Sequence, residues 1–136
     1  MSGVALSPQL TVNIHGDFEA ITGRLRTALK AGGFTILHQT SIGEMTAHSD
    51  YSALHPSVII GVYYPELAYR AVVTTPASAL LLPYTFMVSQ VGDDMVEIAL
   101  LDPRTLFDLL GNTYLKPIAQ ELFDLAVRIL DALDGP

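Results

Sequence analysis

The sequence predicts an α+β two-layer sandwich, with about five strands in a mixed sheet packed by helices on one face. Three observations predict it. Strand-like apolar runs recur five times between Leu10 and Leu101, helical apolar stripes lie between and after them, and the order contains a hairpin without regular strand–helix–strand repetition. The chain has 136 residues, half of them hydrophobic and 15% charged. That is one domain, 1–136, able to bury roughly two thirds of the surface its unfolded form exposes.

Leu10 to Ile14 alternates apolar and polar residues as a half-buried strand does, and His15-Gly16-Asp17 supplies a turn and a helix N-cap. A helix follows from Phe18, with Phe18, Ile21, Leu25, Ala28 and Leu29 on one face, and Gly32-Gly33 stops it. Phe34 to Gln39 reads as a second strand with Phe34, Ile36 and His38 on one side. Between Thr40 and His55 the periodicity fades, leaving a short helix around Ile42 to Ala47 and then a loop, a place where folds put ligand contacts.

Val58 to Tyr63 is β-branched and almost continuously apolar, as a strand at the centre of a sheet is. Pro65 suits a first helical turn because its missing N–H has no intrahelical partner there, and Glu66 favours the positive helix end; this helix runs to about Val73. Pro83 to Val91 and Met95 to Leu101 flank the turn cluster Gly92-Asp93-Asp94 and form a hairpin. Asp102-Pro103 opens a short helix that Gly111-Asn112 ends. The last helix starts between Leu115 and Pro117, and its stripe of Ile118, Leu122, Leu125, Ile129 and Leu133 is widened by Phe123, Ala126, Val127 and Leu130. Such a helix is buried on more than one side.

A net charge of −7 has the wrong sign for neutralising phosphates, so no nucleic-acid partner is expected. No apolar stretch reaches the roughly 20 residues a bilayer crossing needs, so no membrane partner is expected either, and the protein is read as soluble and cytoplasmic. The absence of cysteine excludes disulfides, thiolate metal sites and thiol nucleophiles. An apolar-rich chain with so little charge leaves apolar surface for a second subunit to cover, which predicts a homodimer.

Tyr63, Tyr64, Tyr69 and Tyr84 gather around two proline-marked loops. They read either as the wall of a small-molecule cleft, hydroxyls orienting a ligand and rings covering it, or as core and interface packing. Glu66 and Arg70, four apart, pair along a helix face, or else Arg70 turns into the cleft to hold a carboxylate or phosphate. Asp102 and Arg104 read as a helix cap. His15, His38, His48 and His55, with Glu44 or Asp50, match no metal-ligand spacing, so no metal and no cofactor are expected. No Ser-His-Asp order, phosphate-cradling glycine loop or dinucleotide fingerprint is present.

Gly61-Val62-Tyr63-Tyr64-Pro65-Glu66-Leu67-Ala68-Tyr69-Arg70, Leu80-Leu81-Leu82-Pro83 and Asp102-Pro103-Arg104, in this order and spacing, resemble the domain-of-unknown-function family 302. The resemblance runs from Leu10 through the final helix and implies a dimeric two-layer sandwich; it implies no reaction. Where many relatives carry Cys-Asn-Pro and Pro-Cys-Asn, this chain has Tyr63-Tyr64-Pro65 and Pro83-Tyr84-Thr85. Thiol redox or soft-metal chemistry therefore does not carry over, since a phenol is neither a ready nucleophile nor a soft ligand at neutral pH. The expected role is a homodimeric domain binding a small ligand through Tyr63, Tyr64, Glu66, Arg70, Pro83, Tyr84 and Thr85. The alternatives are an enzyme with Tyr64 or Tyr84 as acid and Glu66 as base, and a pure assembly domain.

Overall fold

In the computed structural model, which describes residues 8–46 and 55–134, the strand-like runs become β1 (Gln9–His15), β2 (Thr35–Ser41), β3 (Ser57–Tyr63), β4 (Tyr84–Gly92) and β5 (Met95–Leu101). They form one sheet in the order β1-β5-β4-β3-β2. The α+β class and the strand number agree with expectation, but every pairing is antiparallel, so the sheet is not mixed. The reason is the connection after β3. Its helices bring the chain back to the end of the sheet it left, so that Val62 pairs with Tyr84 on the neighbouring strand.

The helices are α1 (Phe18–Ala31), α2 (Ile42–Met45), α3 (Pro65–Thr74), α4 (Pro103–Asp108) and α5 (Lys116–Asp134), with 3-10 turns at Pro76–Leu81 and Thr113–Leu115. Asp17 caps α1 by accepting the Ala20 N–H at 2.9 Å. The Gly32-Gly33 stop has a second use: Gly33 has φ +94°, and a Cβ there would lie 2.9 Å from the Tyr64 ring. One glycine thus provides the left-handed turn and the seat for a tyrosine. His48 and Asp50 lie outside the described residues.

Strand alternation divides the sheet into two faces. Ile14 of β1, Val58, Ile60 and Val62 of β3, Tyr84, Phe86 and Val88 of β4, and Val96, Ile98 and Leu100 of β5 join one core with Leu25 and Leu29 of α1, Leu67 of α3, Phe107 of α4 and Leu122 of α5. The other face carries a cross-strand row of Thr40, Ile59, Met87, Ala99 and Thr11. Neither Ile59 nor Met87 packs against the core.

β2 departs from its expected pattern. The register shifts between Ile36 and His38, so His38 leaves the side that Ile36 occupies and its ring takes the space a Cβ on Gly61 would need. One inserted residue reverses the parity of everything after it. Among the described residues, no helix is long and apolar enough to cross a membrane.

Candidate functional site

The two proline-marked loops lie at the same end of the central strands, because Val62 and Tyr84 are paired. Tyr64 is the N-cap of α3 and Pro65 its first residue. The Tyr64 ring meets the Phe34 ring edge-on at 5.3 Å, and Phe34 in turn meets Phe86 edge-on at 6.5 Å. The Leu82–Pro83 peptide is cis. Beyond it Tyr84 lies buried, its ring stacked on Phe107 of α4 with centroids 5.9 Å apart. Among the described residues the Tyr84 hydroxyl makes no hydrogen bond. Burial pushes the phenol's pKa above its ordinary value, so the group keeps its proton and stays a donor.

Beside Tyr84 is a cavity of about 250 Å³. Phe86, Leu100, Leu122 and Ala126 form its buried side, Pro103 and Leu106 of α4 one wall, and Leu80 and Leu81 of the 3-10 turn another. Pro83, Thr85, Leu101 and Phe34 complete it. Leu80 is 82% exposed and Leu101 49%, which places the apolar mouth at these two residues.

α4 is held by a local ion pair. Asp102, 4% exposed, caps the helix by accepting the Arg104 N–H at 2.9 Å, and the Arg104 side chain returns to the same carboxylate at 2.8 Å. The guanidinium also covers the Phe123 ring, 3.6 Å from its centroid, an arrangement that adds a cation–π attraction to the pair. Burial would raise the Asp102 carboxyl, but its hydrogen bonds and charge contact with Arg104 outweigh burial and hold it below the ordinary carboxylate range.

The sequence-predicted residues therefore separate. Pro83, Tyr84 and Thr85 line the cavity. Tyr64 does not line it, and reaches it only through Phe34. Tyr63 falls on the other face of the sheet, opposite Thr35, because it follows the core residue Val62 on the same strand; the two tyrosines at the relatives' cysteine positions thus face opposite sides. Tyr69 is 68% exposed. The expected Glu66–Arg70 pair is replaced: Arg70 bonds Glu121 of α5 at 2.8 Å, and Glu66 acts on it only through its field. A second helix lying beside α3 offers a carboxylate that no local spacing reveals. Glu66 is exposed and bonds neither Tyr64 nor Tyr84. Among the described residues no cluster of three or more His, Asp or Glu could hold a metal.

Sequence reasoning missed Phe34, Leu106, Leu122 and Ala126 as parts of one site. Each carries an ordinary core signal, and only the fold brings strand β4 beside α4 and α5.

The chain matches the model of the family described as Domain of unknown function DUF302 over residues 10–133. It belongs to this family. A crystal structure of an uncharacterized conserved DUF302 protein from Bacillus stearothermophilus superimposes with a TM-score of 0.83 at 26% identity, covering 94% of this chain and 98% of that one. No curated protein matches the chain. The DUF302 assignment agrees with the resemblance read from the three motifs, and the chain contains no cysteine.

Proposed function

We propose that this DUF302 protein binds a small molecule in the cavity bordered by Pro83, Tyr84 and Thr85. The observation that carries the reading is a cavity of about 250 Å³ that joins an apolar lining to Tyr84, whose hydroxyl makes no hydrogen bond to a described residue and keeps some solvent access. A few polar groups in an apolar concavity are the usual make-up of a ligand site. The test is a fragment screen followed by amide chemical shifts. Binding fragments are expected to move Thr85, Leu101 and Leu106, and Ala126→Leu, which fills the cavity, is expected to weaken them by at least roughly tenfold. A diverse screen that moves none of these amides would defeat the proposal. The acid–base enzyme alternative has less support, since Glu66 is solvated and touches neither phenol.

A second role, homodimeric assembly, is supported by the sheet face that carries Ile59, Met87 and Ala99. Sheet faces with a central apolar row are commonly packed against a second layer. Light scattering of the wild type is expected to give twice the chain mass, and Met87→Lys is expected to shift it towards the monomer at micromolar concentration. A monomeric wild type would remove assembly and leave the cavity proposal intact.

A further inference from the structure

Resting on that small-molecule reading, we infer that the cavity selects a neutral, largely apolar ligand carrying a hydrogen-bond acceptor, and that it discriminates against anions. None of the residues lining it is charged. Arg104, which follows the lining residue Pro103, is already committed to Asp102 and Phe123. A carboxylate or phosphate entering this lining would give up its hydration with no cation to receive it.

The polar element that remains is Tyr84. It is 6% exposed, it lines the cavity, and its hydroxyl bonds to no described residue. Among the described residues only Ser78 Oγ is both fully buried and unpartnered, so the unbonded Tyr84 hydroxyl keeps some solvent access and is available to donate to an incoming acceptor. Tyr84 is a donor here and not a charge, because burial favours the protonated phenol. Thr85, the other side chain with a hydroxyl, sits on the opposite parity of β4 from Tyr84 and Phe86 and is exposed at the rim.

Size and entry agree with this chemistry. A cavity of about 150 Å³ lined by aliphatic and aromatic side chains takes up benzene, so the space beside Tyr84 has room for a ring and a short substituent. Its mouth is apolar at Leu80 and Leu101, which favours approach of an apolar molecule over a strongly hydrated one.

Three probes of similar size separate the possibilities by titration calorimetry: acetophenone, a neutral acceptor; ethylbenzene, which has no acceptor; and benzoate, an anion. Acetophenone is expected to bind at least about tenfold more tightly than benzoate. Tyr84→Phe keeps the ring stacked on Phe107 and is expected to weaken acetophenone by roughly tenfold while changing ethylbenzene by less than about twofold. Equal weakening of both neutral probes, or benzoate binding as tightly as acetophenone, would overturn the inference. If benzoate binds and Ala126→Leu abolishes it, the cavity is a ligand site of the wrong assigned class. If no probe binds and the fragment screen is also silent, the cavity reading itself has failed.

Discussion

Phe86→Ala is expected to cost about 3–5 kcal/mol of folding stability, the range for removing a buried aromatic ring. Phe86 is 1% exposed, lies on β4 between β3 and β5, and holds the edge of Phe34, which in turn carries Tyr64. Its removal opens a void against the existing cavity, which its ring lines, so the walls cannot simply close over the gap. For a domain whose total stability is on the order of 5–15 kcal/mol, this is a large fraction. Denaturant titration should show a lower midpoint with an unchanged slope, because the surface exposed on unfolding is nearly the same. Leu80→Ala, at an 82% exposed position, is the control and should stay within about 0.5 kcal/mol. A loss below about 1.5 kcal/mol for Phe86→Ala would mean that the ring does not occupy the core as described.

Local chemistry accounts for the parts of this fold that sequence makes legible. The apolar run from Val58 to Tyr63 is the interior strand β3, one place from the central β4, Pro65 opens α3 at its first position, and the Asp102-Pro103 pair opens α4 with the carboxylate as cap. Each is decided by one or two neighbouring residues, so tertiary context had little to override. What sequence left unread is long-range or depends on parity. Strand direction follows from where α3 and the 3-10 turn return the chain, which no single segment encodes. The shift between Ile36 and His38 inverts half a strand through one extra residue, a change invisible to a count of alternation. The same parity separates Tyr63 from Tyr84: adjacency in sequence drew Tyr63 and Tyr64 into one cluster, whereas a strand sends successive side chains to opposite faces. The cavity is the extreme case. Phe34 of the α1–β2 connection, Leu106 of α4 and Ala126 of α5 meet Tyr84 of β4 there, and each of the three is indistinguishable in sequence from an ordinary core residue.

Asp102→Ala should destabilise the fold by about 2–3 kcal/mol: about 1 for the lost cap of α4 and the remainder for the broken pair with Arg104. The cost is below that of breaking a fully buried pair because the Arg104 side chain is 41% exposed and partly screened by solvent. Asp102→Asn keeps an acceptor for the Arg104 N–H and should cost less, about 1 kcal/mol. The pH dependence identifies the charge. The folded-state carboxyl is held below its ordinary value, so its stabilising contribution is complete above the unfolded pKa of about 3.9 and is lost as pH falls through the lower folded value. The stability gap between wild type and Asp102→Asn should accordingly be constant from about pH 7 to pH 5 and shrink below about pH 4. A gap that stays level down to about pH 3 would show that the Asp102 side chain acts as a neutral cap and not as the anion that holds Arg104 over Phe123. Since Pro103 and Leu106 of α4 form one wall of the cavity, loss of this anchor should also weaken any ligand bound beside Tyr84, linking the acid sensitivity of the helix to the occupancy of the site.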